Sequence, residues 1–258
     1  MKLHLKAKRG SGFNSEVFYM KLKRFGSGRK ELVFAGLILL WFSMNRMQAQ
    51  APHYVVMDLG TLGGTHSSGN CINDAGQVTG ESSVSTSDNI SHAFLYSNGA
   101  MSDLGTLGGT YSGGNRINNA GQVTGDSSLS GDTAVHAFLY SDGAMSDLGT
   151  LGGDSYGFGI NDSGQVTGQA TTTDATHAFL YSGGTMYDLN YLASGNMGGF
   201  SALEAGYAIN NNGWITGIGL TLDGREHAFL ARPSVPIVTT NAATNVTSSS
   251  ATLNGTVN

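Results

Sequence analysis

The sequence predicts an all-β protein: four repeats of a four-stranded antiparallel unit, arranged as a small β-propeller that the N-terminal strand closes. Repetition is the first observation behind this reading. His-Ala-Phe-Leu recurs at His92, His136, His177 and His227, and Ile-Asn at Ile72, Ile117, Ile160 and Ile209. Gly-Gln-Val-Thr-Gly begins at Gly76, Gly121 and Gly164, and becomes Gly-Trp-Ile-Thr-Gly at Gly213. The histidines are 44, 41 and 50 residues apart, a period of propeller-type units and longer than leucine-rich or hexapeptide solenoid repeats. Composition is the second: 39 Gly against 3 Pro, with 40% apolar residues, fits many tight turns between short strands. Third, no stretch of comparable length carries a helical period.

Each unit reads as four strands. The first ends at Ile72-Asn73 and the second is Gln77–Glu81. Between them Asn73-Asp74-Ala75-Gly76 has Asn first and Gly last, which suits a type I turn closed by a left-handed Gly. The third strand, His92–Tyr96, meets the fourth, Ala100–Leu104, through Asn98-Gly99, a strong hairpin signal. Asp142-Gly143 and Gly183-Gly184 meet the same demand for positive φ in the later copies. The fourth copy lacks Ala-Met-x-Asp-Leu after Leu230, and the chain leaves through Pro233. A spare fourth strand stands at the start, Tyr54-Val55-Val56-Met57-Asp58-Leu59. Pairing it beside His227–Leu230 completes a fourth blade and removes an open sheet edge. An open stack and a larger ring made by association are the alternative arrangements.

The combined pattern Asp-Leu-Gly-Thr-Leu-Gly-Gly, Ile-Asn-x-x-Gly-Gln-Val-Thr-Gly and His-Ala-Phe-Leu-Tyr resembles the HAF repeat of bacterial extracellular proteins over residues 54–232. Repeat four departs most, with Trp214 for Gln, Ala231 for Tyr and an insertion within Ser194–Tyr207. The resemblance implies export and repetition, and it names no activity.

Ten of the thirteen basic residues lie in residues 1–51. From Pro52 onward three Arg and no Lys stand against sixteen acidic residues, a formal charge of −13. Such a body repels phosphate backbones and excludes nucleic acid as a partner. Within residues 1–51 the apolar run Leu32–Phe42 follows Lys21, Lys23, Arg24, Arg29 and Lys30 and precedes Ala49 and Ala51. That is the layout of a secretory leader, with Met20 as the expected start. The run is shorter than the about 20 apolar residues of a bilayer span, so no stable membrane span is expected after cleavage. An uncleaved anchor is the alternative. The single Cys71 rules out an intrachain disulfide, and its repeat equivalents Arg116, Gly159 and Ala208 argue against a catalytic thiol. Residues 233–258 change texture to Ser/Thr-rich alternation, which resembles the first two strands of a fibronectin type III-like domain. A sandwich of that kind needs about seven strands, so the chain is expected to be a truncated product.

No Gly-x-Ser-x-Gly elbow, His-Glu-x-x-His pair or phosphate-binding loop is present. The recurring histidines are expected to be structural, because a ring would hold them apart. Loops between the second and third strands each carry an Asp before the His: Asp88, Asp132, Asp174 and Asp223. They form a candidate rim for calcium or a polar ligand such as a glycan, against the alternative of ordinary turn chemistry. The leading expectation is a non-enzymatic exported or cell-surface scaffold that binds a glycan or protein. A carbohydrate-active enzyme using Glu204, Tyr207, Trp214, Arg225 and Glu226 of unit four is the second reading. A structural spacer of a larger surface protein is the third.

Overall fold

The computed structural model describes residues 51–86 and 90–234 with their side chains, and the backbones of residues 7–8, 17–18, 238–244 and 252–257. Strands β1 (Ala7–Lys8) and β2 (Val17–Phe18) pair antiparallel near the N-terminus. The expected leader run Leu32–Phe42 lies outside the described residues. No described helix is long and apolar enough to cross a membrane.

The repeat region is all-β. Unit one is β3 (Ser67–Ile72), β4 (Val78–Ser83), β5 (Ser91–Ser97) and β6 (Ala100–Asp103), and unit two is β7 (Gly108–Ile117), β8 (Val123–Leu129), β9 (Val135–Ser141) and β10 (Ala144–Asp147). Unit three is β11 (Ser155–Ile160), β12 (Val166–Thr171), β13 (Thr176–Ser182) and β14 (Thr185–Asp188). Unit four has three strands, β15 (Phe200–Ile209), β16 (Ile215–Thr221) and β17 (Glu226–Ala231), after a short helix α1 (Leu189–Leu192). Within every unit, neighbouring strands run antiparallel in sequence order. One parallel pairing, Ser91 with Tyr111, links the sheets of units one and two. Farther on, β18 (Val238–Thr244) pairs antiparallel with β19 (Thr252–Val257).

Local chemistry sets the turns. The Asn73 side chain accepts from the backbone N–H groups of Ala75 and Gln77, and Gly76 N donates to Asn73 O with Gly76 at φ +75°. Asn118, Asn161 and Asn210 repeat the arrangement. Asn98-Gly99, Asp142-Gly143 and Gly183-Gly184 all have positive φ, the backbone of a type I′ hairpin that matches strand twist.

The last Gly of the Gly-Gln-Val-Thr-Gly string has a packing reason. A side chain at Gly80, Gly125, Gly168 or Gly217 would overlap the carbonyl oxygen of Ser68, Gly113, Tyr156 or Ala205 on the adjacent first strand. That closeness accompanies a β-bulge in every first strand, where the register slips at Asn70, Asn115, Phe158 and Tyr207. A bulge leaves one residue unpaired and re-aims its side chain.

Among the described residues the buried apolar side chains form three clusters, each shared by two successive units. Ala93 and Leu104 of unit one meet Ile117, Val123 and Phe138 of unit two. Ala137 likewise meets Leu148, Val166 and Phe179, and Ala178 meets Leu189, Ile209, Ile215 and Phe229. In the His-Ala-Phe-Leu string, then, Ala faces the following unit and Phe the preceding one.

The expected closing strand is not formed. Tyr54–Leu59 has no strand pairing, with Tyr54, Val55, Val56 and Met57 exposed, and β17 pairs only with β16 among the described residues. Asp58 instead holds a local turn, accepting from Gly60 N at 3.0 Å. The edge of β17 specifies what kind of strand must pair, but not that the same chain can bring it there. Four blades is also the small end of the propeller range.

Candidate functional site

The bulged residues of the first strands and the carboxylates beside them form a connected polar and aromatic cluster. Asn115 Nδ2 donates to Asp126 Oδ1 at 2.9 Å and to the Gly157 carbonyl at 3.0 Å, which ties unit two to unit three. In unit one, Glu81 occupies the position of Asp126, and its carboxylate accepts the Tyr111 hydroxyl at 3.1 Å. Asp126 is buried. Its carboxyl is pushed up to about 6, by burial first and by the charge of Glu81, while the Asn115 N–H pulls the other way. Burial and the nearby carboxylates Asp126 and Glu81 also push the Tyr111 hydroxyl up, and burial with Asp154 and Asp126 does the same at Tyr156. Both phenols therefore stay neutral hydrogen-bond donors.

A hollow of about 240 Å³ opens beside this cluster, lined by Asn115, Arg116, Phe158 and Tyr207. The rings of Tyr156 and Phe158 stack at 6.4 Å, and Phe158 approaches Tyr207 at 6.0 Å. The repeat is broken here. Units one and two carry Asn70 and Asn115 at the bulge, whereas units three and four carry Phe158 and Tyr207. The result is an aromatic shelf flanked by an amide and a guanidinium, a lining of the kind that holds small polar ligands by stacking and directed hydrogen bonds.

The recurring histidines do not converge. Nδ1 of His92, His136 and His177 hydrogen-bonds the carboxylate of Asp103, Asp147 and Asp188, at 2.9, 2.9 and 2.8 Å. Each carboxylate also accepts from the backbone N–H two residues on, at Gly105, Gly149 and Asn190. The pair thus clamps a hairpin to the crossover that begins the next unit. Sequence reasoning noted both residues without pairing them. The available signal was their constant separation of 11 residues across a hairpin turn. His227 has no carboxylate partner among the described residues. His136→Ala is expected to lower stability in denaturant by about 1 kcal/mol, whereas His227→Ala should change it by less than about 0.5 kcal/mol. Equal losses would refute the clamp.

Three of the proposed rim residues are described, and their contacts differ. Asp132, at φ +52°, accepts from Thr110 N and Thr110 Oγ1, which hold its carboxyl below the usual range. Asp174 N donates to Thr172 Oγ1, and Asp223 accepts from Thr221 Oγ1 and pairs with exposed Arg225 at 3.4 Å. Asp88 lies outside the described residues. Among the described residues no three His, Cys, Asp or Glu come together as metal ligands. Glu204 and Glu226 sit on the two outer strands of unit four with β16 between them, a lateral separation of about 9.5 Å. Trp214 lies apart from both carboxylates in its own contact, under the Arg232 guanidinium at 5.5 Å.

No protein-family model matches the chain, and no curated protein matches it significantly.

Proposed function

We propose that the chain is a non-enzymatic, exported repeat protein of the HAF type, a propeller-like scaffold at the cell surface that binds a glycan. Recognition runs through the bulged residues of the first strands rather than through the Asp-bearing loops, where Thr110 occupies the Asp132 carboxylate and Thr221 and Arg225 engage that of Asp223. One observation carries this reading: the repeat symmetry fails where Phe158 and Tyr207 replace Asn, next to Asn115 and Arg116 around one hollow. A sugar ring offers an apolar face for the aromatic shelf and hydroxyls for the amide and guanidinium. Asp126 and the Gly157 carbonyl take both N–H groups of the Asn115 amide, which leaves its Oδ1 as the acceptor for a ligand hydroxyl. The C-terminal strands, in this reading, begin a fibronectin-like module that joins the scaffold to a larger surface assembly.

The test is a glycan array with the exported chain, followed by titration of any hit. Binding without turnover is expected, and Tyr207→Ala should weaken it roughly tenfold, which corresponds to about 1.4 kcal/mol. Hydrolysis of the bound glycan would establish an enzyme instead. Silence across the array would leave the spacer role.

A further inference from the structure

We propose that the open face of unit four binds the open face of unit one in a second copy, so that copies associate head to tail. This contact repeats the one that joins successive units within the chain, and it stands apart from the glycan reading.

The internal contact is made three times with the same parts. Thr79, Thr124 and Thr167 are fully buried, each beneath the Gly of the next first strand, Gly114, Gly157 or Gly206. A side chain on any of these Gly would overlap the Thr hydroxyl. Among the described residues both halves are unused at the ends. Thr216 is exposed on unit four, and a side chain at Gly69 of unit one would meet only Val78 of its own unit.

Apolar surface is left over in the same complementary way. Ile72 is 65% exposed, whereas its equivalents Ile117 and Ile209 are 7% and 8% exposed against a preceding unit. Unit four presents a hollow of about 190 Å³ lined by Ala208, Trp214, Thr216 and Leu230, among others. Leu230, at 58% exposed, occupies the position of Leu95, which packs in the cluster between units one and two.

A polar ladder fixes the polarity of the contact. Asp74 N donates to Asn119 Oδ1, Asn119 N to Asp162 Oδ1, and Asp162 N to Asn211 Oδ1, at 3.1, 3.0 and 2.9 Å. Asp and Asn alternate along the row, so no two carboxylates meet. The next rung would be Asn211 N donating to an Asp carboxylate, and Asp74 of a second copy supplies it. Alternation survives because the number of units is even.

The sheet edge points to the same partner. Among the described residues β17 is open along one side and His227 lacks the carboxylate that its three equivalents have, and Tyr54–Leu59, exposed over Tyr54–Asp58, contains Asp58 in the corresponding place. In the register of β5 with β6, Leu95 faces Ser102. Transferred to unit four, Leu230 faces Met57 of the second copy. Such a heterologous contact builds a closed ring or a filament, and two copies would give eight blades, within the common propeller range.

Sedimentation of the full exported chain tests this, using Thr216→Glu and Ile72→Glu, two changes at exposed positions that each block one face. The wild type should assemble with rising concentration, and each variant alone should stay monomeric. Their equimolar mixture should give a species of twice the monomer mass and nothing larger, because one usable face of each kind remains. A monomeric wild type, or a mixture that stays monomeric while the wild type assembles, would overturn the proposal. In a Cys71→Ser background, Leu230→Cys with Met57→Cys should form a disulfide between copies under mild oxidation. A bond within one chain, or none, would overturn it as well.

Discussion

Gly125→Ala is expected to destabilise the repeat array by about 3 kcal/mol, at the upper end of ordinary overpacking. An added methyl would overlap the Gly113 carbonyl oxygen and touch the Phe138 ring at 3.0 Å. Neither can give way cheaply, since the carbonyl belongs to the paired backbone of β7 and β8 and Phe138 is fully buried. Gly143→Ala is the informative comparison. A side chain there meets nothing within 4 Å, so only the positive φ of 83° opposes it, at about 1 kcal/mol. Urea midpoints for the two variants would separate crowding from backbone strain. Losses of the same size would show that close approach of the strands is not why this Gly is required.

Asp126→Asn is expected to raise stability at pH 7 by about 1–3 kcal/mol and to flatten the pH dependence between about pH 4 and 6. The folded chain holds this carboxyl at about 6 against an ordinary 3.8, because burial disfavours its charged form. A raised folded value means the native state binds the proton more tightly than the unfolded chain does. The group's favourable contribution is therefore complete below about pH 4 and is lost as pH rises through 6. Asparagine keeps the shape and can still accept from Asn115 Nδ2, without the buried charge. Denaturant melts from pH 4 to 8 would check this. An unchanged profile, or a variant less stable at pH 7, would show that Asp126 is better solvated than its burial indicates. A carboxylate kept at such a cost fits a residue retained for binding.

What the sequence made legible was local. The Asn-Gly and Asn-Asp-Ala-Gly turns follow from residues that tolerate positive φ or cap their own backbone, and those preferences act over four residues. Strand order within a unit follows from the turns. The His136–Asp147 clamp needed one further step, the hairpin register, because its partners meet across a turn. The aromatic shelf needed much more. Phe158 and Tyr207 are 49 residues apart in sequence, and their meeting depends on a bulge in each first strand and on how one unit sits against the next. Asp132 shows the same limit from the other side, since its carboxylate meets Thr110, 22 residues away, a contact that the loop's own residues do not announce. Closure by Tyr54–Leu59 was inferred from edge complementarity, which says what should pair and not where the chain can reach.

Because the three apolar clusters lie between neighbours and none within a single unit, the repeat region behaves energetically as a one-dimensional array. Units two and three are each gripped from both sides, while the outermost two are gripped from one, so fraying begins at the termini and travels inward. A protein of this design has no single nucleus to protect. Its durability rests on whatever shields its two extremities.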